Sequence, residues 1–210
     1  MTEQRDTDPK EIVRRGYDAL SHRYRADDAD PETHRAWAAE LVRRLPAGAD
    51  VLDLGCGNGV PVARDLSAAG FAVTGVDLSE VQVARARALV PGATFRTADA
   101  TAVEFAAGSF DAVVCLYALI HLPLAEQPPL LERIAGWLRP GGLFVATTGH
   151  DALTGSDDDW LGGGTTMWWS QADAATYRDW LTAAGLAVER QEFVPEGDGG
   201  HELFWATRPR

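Results

Sequence analysis

Residues 51–59 read VLDLGCGNG, and this stretch decides the fold. The mostly apolar run 51–54 predicts a buried strand. The glycines that follow allow a tight turn that can approach a ligand closely, and the helix predicted beyond it offers unpaired N–H groups. The third glycine comes too early for a dinucleotide fingerprint. The turn therefore favours a ligand that has no pyrophosphate.

Short apolar runs alternate with helical patterns on both sides of this turn. Such alternation predicts an α/β protein with a parallel sheet and a ligand crevice at the carboxyl ends of its strands. The predicted strands are 51–54, 71–76, 93–98, 110–116 and 143–148. The predicted helices around them are 9–26, 31–45, 60–70, 80–89 and 125–138.

The two ends of the chain differ from this alternating middle. Residues 1–8 predict a frayed tail, and Asp8 and Asp30 each precede a proline, as helix N-caps do. Residues 149–170 are rich in Gly, Asp and Trp, which predicts a long irregular connection that acts as a lid. A helix over 171–184 follows. The strands predicted after it, 186–194 and 202–207, form an antiparallel hairpin.

The chain has 210 residues, with 19 Lys+Arg against 31 Asp+Glu and a formal net charge of -12. This balance disfavours nucleic acid and anionic membranes as partners. Lys10 is the only lysine, which argues against a lysine-based mechanism. Cys56 and Cys115 lie in apolar stretches, so we expect no disulfide. The polar N-terminus and the absence of a long apolar run predict no signal peptide, no membrane span and a cytoplasmic location.

Two aspartates follow strands next to the glycine turn. Asp77 comes 18 residues after Gly59 and can accept both hydroxyls of a ribose. Asp99 ends the third strand and can accept from the exocyclic amine of an adenine, with Leu78 and Ala100 as apolar walls. The alternatives are that Asp77 caps a helix and that Asp99 is a solvated strand end.

The chain resembles the class I S-adenosylmethionine-dependent methyltransferases, in particular bacterial small-molecule enzymes with a short N-terminal helical cap. The resemblance implies a Rossmann-like seven-stranded sheet of order 3-2-1-4-5-7-6 with the last strand antiparallel. It covers one domain, 1–210, divided into a helical cap (1–46), a cofactor-binding core (47–148), a lid (149–170) and a terminal helix and hairpin (171–210). The motifs that carry it are VLDLGCGNG (51–59), VTGVDLS (73–79), FRTADA (95–100), SFDAVVCLYALIHLP (109–123) and LRPGGLF (138–144).

The resemblance implies S-adenosylmethionine as cofactor, with S-adenosylhomocysteine as product. By position, Asp53 would help to hold the amino group of the methionine, Asp77 the ribose, and Asp99 with the Ala100 amide the adenine. The implied cofactor-binding residues are Tyr17, Tyr24, Asp53, Gly55, Cys56, Gly57, Gly59, Asp77, Leu78, Asp99, Ala100, Leu116 and Tyr117.

His121 follows the fourth strand, where similar enzymes face the methyl acceptor. Its imidazole could remove a proton or hold the acceptor, and the alternative is a histidine that braces the loop. The other candidate acceptor-binding residues are His150, Trp160, Met167, Trp168, Trp169 and His201. Packing of the lid would explain the aromatic residues equally. The acidic run 157–159 indicates a solvated turn, and the histidine spacing predicts no metal site.

These observations favour an enzyme that transfers a methyl group to an oxygen or nitrogen nucleophile of a small apolar or aromatic molecule. A methyltransferase-like sensor, or an enzyme that holds the cofactor while catalysing a different reaction such as a cyclisation, remains open. A nicotinamide oxidoreductase fits less well, because the glycine spacing is wrong and the chain has no Tyr-x-x-x-Lys pair. We expect a small-molecule substrate and a monomer or homodimer.

Overall fold

The computed structural model describes residues 8–29 and 31–210. The predicted tail over 1–7 and the predicted cap Asp30 lie outside the described residues. Helix α1 spans Pro9–Tyr24, and the side chain of Asp8 caps it by accepting from the Lys10 backbone N–H at 3.0 Å. Helix α2 spans Glu32–Arg44. Both helices precede the sheet in the chain, as the predicted helical cap requires.

The middle of the chain alternates strands and helices, as the apolar pattern predicts. The strands are β1 (Asp50–Leu54), β2 (Ala72–Asp77), β3 (Thr94–Thr97), β4 (Phe110–Cys115) and β5 (Leu138–Gly149). The helices between them are α3 (Val62–Ala68), α4 (Glu80–Leu89) and α5 (Gln127–Trp137). The remaining elements are β6 (Leu153–Asp157), β7 (Met167–Gln171), α6 (Ala174–Ala183), β8 (Ala187–Glu196) and β9 (Gly199–Thr207).

Seven of these strands form one sheet of order β3-β2-β1-β4-β5-β9-β8. The strands β1 to β5 pair in parallel, and β9 is antiparallel to both of its neighbours. Strands β6 and β7 pair only with each other and are not part of this sheet. With β8 and β9 counted as its sixth and seventh strands, the order is the predicted 3-2-1-4-5-7-6. The Rossmann-like prediction is confirmed.

The sheet is packed on both faces, as crossover helices dictate for parallel strands. One apolar cluster centres on Leu52, Phe144 and the α5 residues Leu131 and Ile134. The opposite cluster includes Leu41 of α2, and it joins α2, α3 and α4 to the other face. Two filled faces leave only the strand ends open to form a crevice.

The prediction that residues 149–170 form an irregular connection is wrong, because the segment contains two paired strands. Residues 153–157 and 167–171 form an antiparallel hairpin, and the hydroxyls of Thr154 and Ser170 lie 2.9 Å apart across it. The sequence pattern does not predict β6, because LTGSD is mostly polar and shows no alternation of apolar and polar residues. Burial of Met167 in β7 fixes the register of the pair.

Three element boundaries also differ from the predictions. Strand β5 begins at Leu138, because Gly141 and Gly142 pair with the backbone of Arg208 instead of ending a turn. Helix α5 begins at Gln127 after a short 3₁₀ turn over Leu124–Glu126. Helix α6 begins at Ala174, because the preceding residues belong to β7 and the cap.

The β6–β7 hairpin packs against α1. Val13, Trp160 and Met167 are buried together there, and Gly16 makes room for the Met167 side chain, whose terminal carbon lies 2.7 Å from where a Cβ would stand. None of the described helices is long and apolar enough to cross a membrane.

Candidate functional site

The carboxyl ends of β1 to β4 form the floor of a pocket of about 770 Å³, and α1 forms its roof. Its lining includes Tyr17 and Tyr24 from α1 and Asp77 and Asp99 from the sheet edge. A second pocket adjoins it and extends over the glycine turn. Tyr24, Gly55, Gly57, Leu116 and Tyr117 line both pockets. The two pockets thus form one elongated crevice.

The crevice gathers all thirteen residues that were predicted to bind a cofactor. Those that line the first pocket alone are Tyr17, Asp77, Leu78, Asp99 and Ala100. Those that line the second alone are Asp53, Cys56 and Gly59. Residues separated by up to 100 positions in the chain meet here because the parallel strands all end at the same edge.

The glycine turn shapes the floor of the crevice. Gly55 has a φ of +73°, and a Cβ there would lie 2.3 Å from the Cβ of Ala118, so only glycine fits. Gly57 also has a positive φ, and its N–H donates to Asp77 at 2.9 Å. The second carboxylate oxygen of Asp77 accepts from the Ser79 N–H at 2.9 Å. These two bonds orient Asp77 towards the first pocket.

Two aspartates lie in the crevice without a cation beside them; Asp53 is buried and Asp77 is partly buried. Burial raises the pKa of Asp77 to about 6, although the N–H groups of Ser79 and Gly57 oppose the shift. Burial and the charge of Asp77 raise the pKa of Asp53 to about 7. The side chain of Asp53 forms no hydrogen bond or ion pair with any described residue. The oxygens of such a carboxylate can accept from a cation or a hydrogen-bond donor of a ligand.

Asp99 is already engaged. One oxygen accepts from the N–H and hydroxyl of Thr101, both at 2.8 Å, and the other accepts from Lys10 at 2.7 Å. Burial raises the pKa of Asp99, but the hydrogen bonds from Lys10 and Thr101 outweigh this and hold it below its usual value. Lys10 also contacts Glu126 at 2.7 Å. The only lysine therefore closes the adenine end of the predicted site.

His121 sits between α1 and the hairpin. Its Nδ1 lies 2.8 Å from the carbonyl oxygen of Trp168, and a carbonyl only accepts, so Nδ1 carries the proton. Its Nε2 lies 2.9 Å from the hydroxyl of Tyr17 and accepts from it. Burial lowers the pKa of His121 to about 4, so the ring is neutral near pH 7. Tyr17, and not the imidazole alone, presents a polar atom to the pocket.

Aromatic rings surround this pair. Tyr17 makes edge contacts with Tyr24 and Trp160, at centroid distances of 5.0 and 5.2 Å. Trp160 and Met167 are buried in the cluster beneath α1 and line neither pocket. Trp168 and Trp169 are partly exposed but also line neither pocket. The ring of Trp169 lies 6.0 Å from that of His121.

The other two candidate histidines lie beside the crevice. His150 contacts Glu202 at 2.7 Å and the ring of Phe193, and it lines neither pocket. His201 packs edge-on against Tyr117 at 5.0 Å. Tyr117 has a φ of +58°, which is strained for a residue other than glycine, and its N–H donates to the Thr147 hydroxyl. This backbone conformation places Tyr117 in the lining of both pockets.

The crevice residues that sequence reasoning missed include Lys10, Arg25 and His34. Arg25 stacks over Tyr24 at 5.4 Å, and its guanidinium forms no ion pair with any described residue. Burial lowers the pKa of His34 to about 4, so its imidazole is uncharged near pH 7 where it lines the second pocket. The run Tyr24-Arg25 at the end of α1 was the available signal for Arg25, because it places a cation beside a predicted cofactor residue.

Comparison with known proteins agrees with this geometry. A family model described as a methyltransferase domain matches residues 51–142. The ubiquinone biosynthesis O-methyltransferase of Xanthomonas axonopodis pv. citri is 34% identical over 161 residues, which cover 70% of this chain and 66% of that protein. The chain belongs to the class I S-adenosylmethionine-dependent methyltransferases. The first four curated relatives are longer, and this chain spans between 32% and 66% of their lengths.

Solved structures support the fold of this methyltransferase chain. The magnesium protoporphyrin IX methyltransferase of Synechocystis PCC 6803, crystallised with bound S-adenosylhomocysteine, is similar with a TM-score of 0.75 at 24% identity. The alignment covers 96% of this chain and 100% of that one. The [4+2]-cyclase SpnF is similar with a TM-score of 0.73 at 20% identity, covering 96% of each chain. One methyltransferase fold thus accommodates different reactions, and the site must decide between them.

The crevice of this methyltransferase chain fits the cofactor of its family. Asp53 is a buried carboxylate with no partner among the described residues, and Arg25, which lines the same pocket, forms no ion pair with any of them. An α-amino acid carries one ammonium and one carboxylate, so it complements this pair. Asp77 has the acceptor oxygens that a ribose diol needs. Among the described residues, no three His, Cys, Asp or Glu side chains are grouped to hold a metal ion.

Proposed function

We propose that the protein transfers the methyl group of S-adenosylmethionine to an oxygen or nitrogen nucleophile of a small aromatic or apolar molecule. The observation that carries this is the unpartnered, buried Asp53 beside Asp77 at the end of the glycine turn. A buried carboxylate without a partner lowers the free energy of unfolding unless a ligand pairs with it. The O-methyltransferase named above favours oxygen as the nucleophile.

Each part of the cofactor has a residue that would hold it. Asp53 would pair with the ammonium group and Arg25 with the carboxylate. Asp77 would accept the ribose hydroxyls, and the backbone of Ala100 with Asp99 would bind the adenine. The cofactor supplies an electrophilic methyl group on a sulfonium. The protein positions the acceptor in line with that methyl group and excludes water.

Tyr17 is the residue that would contact the acceptor. Tyr17 lines the pocket, and its hydroxyl is held by Nε2 of His121 at 2.9 Å. With a pKa of about 4, the imidazole is too weak a base to remove a phenolic proton, whose ordinary pKa is about 10, before the methyl group moves. His121 therefore acts as a positioning residue. It fixes the rotation of the Tyr17 hydroxyl, and the β7 carbonyl of Trp168 fixes the tautomer of His121.

The acceptor would lie against Trp169 at the edge of the hairpin, because its ring is partly exposed and lies 6.0 Å from that of His121. Trp168, which is also partly exposed, would flank it in β7. Trp160 and Met167 would support α1 from beneath. His201 would contribute through Tyr117, and His150 would brace Glu202. We further propose a cytoplasmic monomer or homodimer that acts on a small molecule and not on nucleic acid, given the net charge of -12 and the unbonded Cys56 and Cys115.

Two measurements test the proposal. Calorimetric titration of S-adenosylhomocysteine should give micromolar binding that is lost in Asp77→Ala and kept in Asp179→Asn, an exposed control on α6. Incubation with S-adenosylmethionine and a panel of phenols, catechols and amines should then yield acceptors heavier by one CH₂ group, with S-adenosylhomocysteine in equal amount. Absence of binding in the wild type would overturn the proposal. Binding with a changed acceptor but no methyl gain would replace it with a cyclase-like reaction.

A further inference from the structure

Lys10 joins α1 to two separate segments of the chain. Its Nζ lies 2.7 Å from Asp99, which follows β3, and 2.7 Å from Glu126, which precedes α5. It also lies 3.2 Å from the Thr101 hydroxyl. The three charged side chains are between 21% and 36% exposed, so water screens these contacts only in part.

The rest of α1 is fastened further along its length. Asp18 accepts from the Ser79 hydroxyl at 2.6 Å, and Ser21 donates to Gln82 at 2.8 Å. Leu20 departs from helical φ/ψ, with a φ of -115° and a ψ of 20°, which marks a kink between the two ends. Lys10 forms the only salt bridges that join the first turn of α1 to the sheet edge among the described residues.

The position of Lys10 bears directly on the adenine end of the crevice. Lys10 and Val13 line the first pocket from above, and Asp99 and Ala100 line it from below. One oxygen of Asp99 already accepts two hydrogen bonds from Thr101. An adenine amine would therefore have to share the other oxygen with Lys10.

We propose that Lys10 is a positioning residue that fastens α1 across the adenine end and sets the rate at which the cofactor exchanges. This inference rests on the proposed function, because it takes the ligand to be an S-adenosyl compound. Closure through Lys10 holds Tyr17 over the reacting atoms, and opening frees Asp99 for the incoming adenine. The only lysine thus has a mechanical role, although it takes no part in the chemistry.

Stopped-flow measurement of S-adenosylhomocysteine binding tests this role. Lys10→Met should raise both the association and the dissociation rate constants about tenfold, because a gate hinders entry and exit alike. A tenfold change corresponds to about 1.4 kcal/mol, which two partly screened ion pairs can supply. Lys10→Arg should stay within about twofold of wild type. High salt should speed exchange in the wild type and leave Lys10→Met unchanged.

Glu126 offers a second variant that leaves the ligand contacts intact, because it lines neither pocket. Glu126→Gln should raise both rate constants about threefold. A rise in dissociation alone would show that Lys10 is only a ligand contact, and unchanged rates in both variants would overturn the proposal. A wild type that binds no S-adenosylhomocysteine would refute the proposed function instead, so the two failures are distinct.

Chemical labelling gives an independent readout, because Lys10 is the only lysine side chain in the sequence that an amine reagent can label. Hydrogen bonding and the charges of Asp99 and Glu126 outweigh burial and raise the pKa of Lys10, so the closed form should react slowly with acetic anhydride. Mass spectrometry should find faster acetylation of Lys10 in Glu126→Gln and slower acetylation with saturating S-adenosylhomocysteine. Equal rates in all three samples would refute a gate.

Discussion

Binding of S-adenosylhomocysteine should weaken as pH falls from 7.5 to 6, because Asp53 takes up a proton in that range. The carboxyl of Asp53 is 4% exposed, has no partner among the described residues, and has a pKa of about 7. The ammonium group of the ligand prefers the ionised carboxylate. Binding must therefore displace the proton that Asp53 holds at lower pH.

The size of the effect follows from the ionised fraction of Asp53. With a pKa of about 7, that fraction is about 0.8 at pH 7.5 and about 0.1 at pH 6, which weakens the ligand about eightfold. Asp77, with a pKa of about 6, is about half protonated at pH 6 and adds roughly a further factor of two. The expected loss of affinity is between about eightfold and fifteenfold.

Isothermal titration at both pH values measures this change. Titration at pH 7 in two buffers of different ionisation enthalpy should also show a release of about half a proton for each ligand bound. Asp53→Asn should bind more weakly at every pH and lose most of the pH dependence. The control Asp179→Asn should behave as wild type. A wild-type affinity constant within twofold across this range, or a full pH dependence that survives in Asp53→Asn, would refute the reasoning.

Three further outcomes are expected. The pKa of Asp53 is raised in the folded protein, so its ionisation lowers the free energy of unfolding increasingly as pH rises from about 4 to 7, and by a constant amount above pH 7. Asp53→Asn should therefore stabilise the ligand-free protein by about 2–4 kcal/mol at pH 8 and hardly at pH 4. Denaturant titrations at the two pH values measure this difference. Tyr17→Phe should lower kcat by about 10- to 100-fold while the Kd for S-adenosylhomocysteine stays within threefold, and equal losses in both would assign Tyr17 to the cofactor. Gly55→Ala should lose about 2–4 kcal/mol of stability because of its φ and the clash with Ala118, and a wild-type Tm would contradict this.

The sheet could be predicted from the sequence because its signals are local. Most of these strands are mostly apolar runs of four to seven residues, and glycine or aspartate directly follows four of the five predicted parallel strands. Parallel pairing then brings the strand ends to one edge without any further information. For this reason the sequence predicts Asp53, Asp77 and Gly55 at this edge, and all three line the crevice.

The contacts that complete the site are not local. Lys10 and Asp99 are 89 positions apart, and Tyr17 and His121 are 104 apart. No periodicity links such pairs, so the sequence reasoning set the lone lysine aside and left His121 between two roles. The polar strand β6 was missed for a related reason, since its order depends on pairing with β7 and not on its own pattern.

Both ends of the crevice depend on the same helix, and this has a consequence for specificity. Helix α1 supplies Lys10 at the Asp99 end of the crevice and Tyr17 beside His121, and Arg25 follows it in the pocket that Asp53 lines. A change that loosens α1 must therefore affect cofactor exchange and acceptor alignment together. The hairpin reinforces this coupling, because the Trp168 carbonyl orients His121 and the buried Met167 supports Gly16. An acceptor that pushes the hairpin aside would release the Tyr17 hydroxyl from its partner. The site should accordingly reject bulky acceptors through lost alignment, seen as a lower kcat, before it rejects them through weaker binding.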